Sequence, residues 1–294
     1  MRAYVTGASG FVGRHVAREL DEAGAEVRRE RVDLLDSDGL RRVIDGCDAV
    51  FHVAALYSYT APEEEFEAVN VQGTRNVIEA CLSVGVRRLV HTSTAGTCGP
   101  VAGRSAAEDD APPDWELTVP YKRTKLESER LVLEAAREGL DAVVVNPTTP
   151  VGDGDLKPTP TGAMIRGVAT GRIKGYLATT GLNVVDVRDV ARGHLLAHER
   201  GETGERYLLG GTNLALRDLF GLVAELAGRS RPRVRVPYAA AAAAARLGLA
   251  NAHEVRLARL PMYFSSQKAH NRLGYQAGQV EAALKRAVDE LQER

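Results

Sequence analysis

An excess of charge of one sign is missing from this sequence. Its 294 residues carry 38 lysines and arginines against 39 aspartates and glutamates, interspersed, for a formal net charge of -1. That removes the electrostatic case for a nucleic-acid or polyanion partner. Cysteine is scarce: Cys47, Cys81 and Cys98 are an odd set without metal-ligand spacing, the pattern of buried thiols in a reducing cytoplasm. No apolar run reaches the ~18 residues of a membrane span. The alanine run Ala239–Ala245 is a helix former closed by Arg246, not an anchor. No basic stretch leading into an apolar one opens the sequence, so no signal peptide is expected and the location is read as cytoplasmic. Internal repeats are absent too.

What is present is 44% hydrophobic residues, enough for a large core in one domain or two closely packed ones. A short strand, Arg2–Thr6, runs straight into Gly7-Ala8-Ser9-Gly10-Phe11-Val12-Gly13, and a helix with apolar Phe11, Val12, Val16 and Leu20 follows. Strand, glycine turn and helix together make a dinucleotide-binding fingerprint credible. Gly7 suits the tight turn, Gly10 lets backbone approach a pyrophosphate, and Gly13 lets helix pack on strand. The helix start then offers free N–H groups to phosphate.

A second strand is expected over Glu26–Val32, and it departs from the doubly wound pattern. It leads directly to Asp33-Leu34, so either an intervening helix is lost or two strands are fused. The end of this strand reads the adenosine ribose, where an acid suits NAD and arginine suits NADP. Arg28, Arg29 and Arg31 lean toward NADP; Glu30 leans toward NAD; a solvated strand edge is the bland alternative. Further on, a helix over Asp38–Asp45 precedes the strand Ala49–Val53 with small Ala54-Ala55. A long helix follows over Glu63–Val84, with Asn70 a poor interior residue able to bond displaced backbone. The strand Arg88–His91 ends in Thr92-Ser93-Thr94-Ala95-Gly96-Thr97, hydroxyls where open α/β sheets bind ligands.

Tyr121 and Lys125 open a helix through Pro120 and, being four apart, share one face. An ammonium beside a phenol favours phenolate and moves its pKa toward working range. After the strand Asp141–Val145 and Asn146-Pro147-Thr148, the pattern is less regular and reads as a smaller lid. There a helix is expected from Lys157–Thr161 to Thr170, then a strand at Val184-Val185 and a helix capped by Asp189. Arg206–Leu209 returns to the sheet, Thr212 or Asn213 opens a helix, and Val280–Gln292 is amphipathic. His194 and His198 stand four apart, but no Glu of the H-E-x-x-H kind lies between them, so no metal site is expected.

In order and spacing, Gly7/Gly10/Gly13, Asp33-Leu34, Ala54-Ala55, Thr94, Tyr121/Lys125 and Asn146-Pro147 resemble the extended short-chain dehydrogenase/reductases, over nearly the whole chain. Asn146–Gly152, Lys157–Gly162, Thr180–Asn183 and Gly204–Gly211 look most like the hopanoid-associated sugar epimerases, a group close to dihydroflavonol 4-reductases. The resemblance implies an α/β Rossmann-type doubly wound sheet over residues 1–150 and about 184–210, with a smaller mixed lid over about 151–183 and 211–294. It also implies NAD(P)(H), with NADP slightly ahead, bound by Gly7, Ser9, Gly10, Phe11, Val12, Gly13, Arg28, Arg29, Asp33, Leu34, Val53, Ala54, Ala55 and Thr92. Asn146, Pro147 and Thr148 would wall the nicotinamide, and Lys125 would hold its ribose and lower the Tyr121 pKa. Tyr121 would be general acid/base, with Thr94, or Ser93, orienting the substrate oxygen and Thr97 and Asn146 touching substrate. A homodimer is implied as well.

Sugar 4,6-dehydratases of this superfamily carry Asp-Glu after the catalytic threonine; Ala95-Gly96 stand here, which argues against dehydration. No arginine just precedes Asn146, which weakens a nucleotide-sugar substrate. The expectation is hydride transfer at a ketone or secondary alcohol of a sugar-like or polyhydroxylated small molecule. Reductase stands ahead of epimerase, and a non-catalytic cofactor-binding relative is the reading from another class.

Overall fold

Strands buried on both faces must be apolar almost without interruption. Ala49–His52 (β3) and Ala142–Pro147 (β5) are buried at every position. In this computed structural model, which describes residues 1–58 and 61–293, they lie inside a parallel sheet of order β2-β1-β3-β4-β5-β9. Its other strands are β1 (Arg2–Thr6), β2 (Glu26–Arg28), β4 (Arg88–Thr92) and β9 (Arg206–Leu209). The helices α1 (Phe11–Glu22), α2 (Ser37–Ile44), α3 (Glu63–Phe66), α4 (Gly73–Val84), α5 (Pro120–Arg137) and α7 (Val187–Arg200) cover it. One core layer holds Val16, Leu20, Val190 and Ala191 from α1 and α7; the other holds Leu40, Ile44, Val77 and Val132 from α2, α4 and α5. This is the doubly wound Rossmann-type fold.

The remaining elements build a smaller part. They are β6 (Thr149–Val151), α6 (Pro160–Ala169), β7 (Gly175–Leu177), β8 (Gly181–Asp186), β10 (Thr212–Ala215), α8 (Leu216–Leu226), β11 (Val234–Val236), α9 (Tyr238–Arg246), α10 (Ala252–Leu257) and α12 (Val280–Gln292), whereas α11 (Gln267–Leu273) packs back on the large sheet through Ala269 and Leu273. A three-stranded sheet, β10-β8-β6, and a two-stranded one, β11-β7, form here. Ile165, Val168, Leu219, Phe220, Leu284 and Val288 give this part its own core, with α12 contributing the apolar face read from its sequence.

Several elements differ from expectation. The second strand stops at Arg28, and nothing helical lies between it and α2. The helix-loss alternative therefore holds, and β2 is the outermost strand on that side. Asp33 and Leu34 instead form a turn leading to Asp36, whose carboxylate caps α2 by accepting from Gly39 N at 2.9 Å. The cap of α7 is Asp186, accepting from Arg188 N at 3.0 Å, whereas Asp189 sits in the first turn and accepts from Gly278 N. Thr212–Ala215 is a strand, because it pairs antiparallel with β8, and α8 starts only at Leu216. The long helix over Glu63–Val84 is helical throughout, with π-helical Glu67–Gln72 between α3 and α4.

Candidate active site

Gly7 has φ +66°, a conformation only glycine adopts without strain, and closes the turn after β1 by accepting from Gly10 N at 2.8 Å. A Cβ on Gly7 would stand 2.9 Å from Ala54 Cα, so the small residue after β3 packs directly on the turn. A Cβ on Gly13 would lie 2.1 Å from the Gly7 carbonyl oxygen, a backbone atom that cannot move aside. On Gly10, the α1 N-cap, a Cβ would meet only Gly7 O within 4 Å. The helix start is thus open on that side, a cradle that fits a pyrophosphate. Exposed Ser9 borders it, half-buried Phe11 and Val12 form the first turn, and Arg14 folds back onto the Ser9 and Gly10 carbonyls. Gly13→Ala should cost about 1–3 kcal/mol through overpacking at a rigid contact. Chemical denaturation checks this; a change under about 0.5 kcal/mol would mean the turn can yield.

The residues read as contacting the adenosine end are more occupied than their sequence suggests. Arg28 turns away to donate to the Val43 and Asp45 carbonyls at 2.8 and 2.7 Å, closing the end of α2. Arg29 pairs with Asp21 and reaches Ala17 O. Asp33 accepts from Leu35 N at 3.0 Å, and Leu34 is buried, with its carbonyl taken by Asn76 Nδ2 at 2.8 Å.

At the carboxyl ends of β4 and β5 the remaining residues converge. Lys125 is 2% exposed, and its ammonium donates to the Thr92 carbonyl at 2.8 Å. Burial pulls its pKa down to about 8, with Glu129 acting the other way. Tyr121 is half-buried, beside the Thr94 side chain, and tilted against the Tyr57 ring at a centroid distance of 4.6 Å. Burial, then Tyr57, raises the phenol above its ordinary value, while the Thr94 side chain works in the opposite direction. The resemblance implies a lowering by Lys125; here desolvation sets the direction upward, and the ammonium is directed at the Thr92 carbonyl. Half-buried Thr94 begins a 3-10 turn over Ala95–Thr97. Ser93 is buried with a hydroxyl that has no partner. Pro147 ends β5, Thr148 follows it with its N–H on the Leu209 carbonyl at 3.2 Å, and Val53 and Ala55 flank Ala54 just past the end of β3.

Thr97 and Asn146 lie beneath Thr94 in a buried network that sequence reading missed. Asn146 Nδ2 donates to Thr94 O at 3.2 Å, Thr97 Oγ1 at 3.0 Å and Glu129 Oε2 at 2.7 Å. Glu129 also accepts from Thr97 Oγ1 and from Arg206 Nη1, both at 2.7 Å. A signal existed: Glu129 is four residues beyond Lys125, as Lys125 is beyond Tyr121, on one helix face. A second buried pair, Lys122 with Glu116 at 3.1 Å, rests its ammonium where a Cβ on Gly96 would stand.

His194, on α7, shares a hydrogen bond with the Thr92 hydroxyl at 2.8 Å and another with Val190 O at 2.8 Å. Burial pulls its pKa down to about 4 from the ordinary 6.5. Between those values the unfolded chain binds the proton that the folded one refuses, so stability falls as pH drops below about 6.5. The loss through His194 alone should approach about 3 kcal/mol near pH 4. Urea midpoints at neutral and acid pH, compared with His194→Gln, test this; equal slopes in both proteins would rule it out.

Comparison with known proteins agrees with this geometry. Residues 3–210 match the model of the NAD dependent epimerase/dehydratase family. A Synechocystis sp. protein provisionally named dihydroflavonol 4-reductase is 36% identical, over 97% of this chain and 93% of its own. A ketoreductase of Stigmatella aurantiaca, named for 4-hydroxy-2-methyl-3-oxo-4-farnesyl-3,4-dihydroquinoline-1-oxide, is 32% identical over 95% and 93% of the two chains. Among solved structures, gox2253 is 37% identical with a TM-score of 0.88, covering 99% of this chain and 98% of its own. PA4631, a nucleoside-diphosphate-sugar epimerase from Pseudomonas aeruginosa, is 28% identical with a TM-score of 0.85, covering 100% and 98%. The chain belongs to the NAD dependent epimerase/dehydratase family, within the extended short-chain dehydrogenase/reductases, and is an enzyme of that superfamily.

Proposed function

We propose that this protein is an NAD(P)-dependent reductase of a small molecule carrying a ketone, working in reverse on the secondary alcohol. The observation that carries the reading is the convergence of the Tyr121 phenol and the Thr94 side chain, set beside buried Lys125 at the carboxyl end of β4. Thr94 would hold the substrate oxygen by its hydroxyl. Tyr121, whose raised pKa keeps the phenol protonated at neutral pH, would pass its proton to that oxygen as negative charge develops there. Lys125 would bond the cofactor ribose, with Pro147 and Thr148 beside the nicotinamide and the glycine cradle on its pyrophosphate. When bound, the cofactor supplies or takes up the hydride.

Two supports favour reductase over epimerase: the reductase names of the relatives, and Arg31, exposed past β2, which suits NADPH. The likeness to PA4631 favours the second reading, an epimerase of a sugar-like substrate that keeps NAD bound. Denaturing the purified protein and identifying released nucleotide by mass separates them. An empty site that takes up NADPH more tightly than NADH is the expected result. Stoichiometric NAD would establish a closed redox cycle, and an empty site indifferent to both would point to a non-catalytic relative.

A further inference from the structure

A line of buried hydrogen bonds joins the glycine turn to the helix that carries Tyr121, and its direction is fixed. The hydroxyl oxygen of Thr6, the last residue of β1, accepts from Val53 N and Ala54 N, each at 3.0 Å. With both lone pairs engaged, its proton points to His52 Nδ1 at 2.9 Å. His52 must then carry its own proton on Nε2, which faces Thr74 Oγ1 at 3.1 Å. Thr74 in turn donates to the Asn70 carbonyl at 2.7 Å, within the π-helical turn, where the ordinary helix ladder is interrupted. The Asn70 side chain continues the line. It accepts from Leu56 N at 2.8 Å and donates to Leu56 O at 3.2 Å and to Thr124 Oγ1 at 3.1 Å. Thr124 donates to the carbonyls of Pro120 and Tyr121 at 2.9 and 3.2 Å. Thr6, His52, Asn70, Thr74 and Thr124 are each at most 1% exposed, so water does not substitute for any of these bonds.

We infer that His52, as the neutral Nε2–H tautomer, is a positioning residue that locks the cofactor turn to the start of α5; its catalytic consequence rests on the role proposed for Tyr121. The other tautomer would set Nδ1–H against the Thr6 hydroxyl and force Thr6 to release a buried backbone N–H. The imidazolium would do the same, and it would also face the Lys125 ammonium and the His91 ring, whose centroid is 5.2 Å away.

Long-range 1H–15N spectra of histidine-labelled protein test the tautomer without reference to catalysis. The signal missing from His52→Gln should show protonated Nε2 and bare Nδ1, unchanged from about pH 5.5 to about pH 8. A proton on Nδ1, or titration in that range, would overturn the inference. The coupling is read from two variants. His52→Leu should weaken NAD(P) binding and lower kcat, each by about tenfold or more. His52→Gln, whose amide still reaches Thr74, should recover part of the kcat. A kcat loss with unchanged cofactor affinity, or equal losses in both variants, would defeat the coupling. If the wild-type protein turns over no ketone, the Tyr121 reading fails, while the tautomer and the cofactor-affinity change still decide whether His52 holds the turn.

Discussion

Tyr121→Phe is expected to cut kcat by about 10²–10⁴-fold, the range of general acid–base catalysis. Cofactor affinity should stay within about twofold, because the substitution removes one hydroxyl and no packing surface. Phenylalanine keeps the ring against Tyr57, 4.6 Å between centroids, and leaves the Lys125 bond to Thr92 untouched. What disappears is the proton that Tyr121 is proposed to pass to the oxygen that Thr94 would hold. The size of the effect follows from the phenol's state: burial holds its proton on at neutral pH, suiting it to donate to a carbonyl in reduction. In the oxidation direction the same raised value leaves little phenolate to take up the alcohol proton, so the wild-type protein should reduce better than it oxidises near pH 7. Stopped-flow reduction with separate cofactor titration measures both quantities. Turnover surviving in Tyr121→Phe would transfer the acid role elsewhere, with Thr94 the nearest hydroxyl.

Much of this site was legible in the sequence because its parts are local. Gly7, Gly10 and Gly13 are read from a strand, a turn and a helix contiguous in the chain, and a Cβ at Gly13 shows why the spacing matters. Tyr121 and Lys125 are legible for the same reason, as one face of one helix. What stayed hidden depends on distant pairing. Arg28 looked like a phosphate ligand until α2 brought the Val43 and Asp45 carbonyls to its guanidinium. Thr212–Ala215 looked like a helix start until β8 offered an antiparallel edge. His52 reads as the end of an apolar strand, and only the register Thr6–His52–His91 across β1, β3 and β4 reveals a polar row inside the sheet. The direction of the Tyr121 shift was missed for an energetic reason: a same-face ammonium is visible in sequence, while desolvation is a property of the packed site.

Glu129 is where that hidden part should matter most for stability. Glu129→Ala is expected to destabilise the protein by about 2–4 kcal/mol, because it removes a buried carboxylate from a half-buried guanidinium and from two buried donors. Three donors lose a 2.7 Å bond at once, Thr97 Oγ1, Asn146 Nδ2 and Arg206 Nη1, the first two falling back on the Thr94 carbonyl. The Arg206 side chain, 21% exposed, retains its contact with Glu108 O but has no other carboxylate in an ion pair among the described residues. Glu129→Gln keeps the acceptor oxygen and the shape, so it should lose less, and the difference between the variants isolates the charge from the volume. The site should respond as well. Asn146 holds the Thr94 carbonyl through the same amide that bonds Glu129, so freeing that amide loosens the turn presenting the Thr94 hydroxyl. In Glu129→Gln, which should remain folded at 25 °C, kcat should fall more than cofactor affinity, since the glycine cradle lies on other strands. Denaturant midpoints and parallel kinetics test both statements. A Glu129→Ala loss under about 1 kcal/mol would mean that Arg206 escapes to solvent and that the network does not brace Thr94.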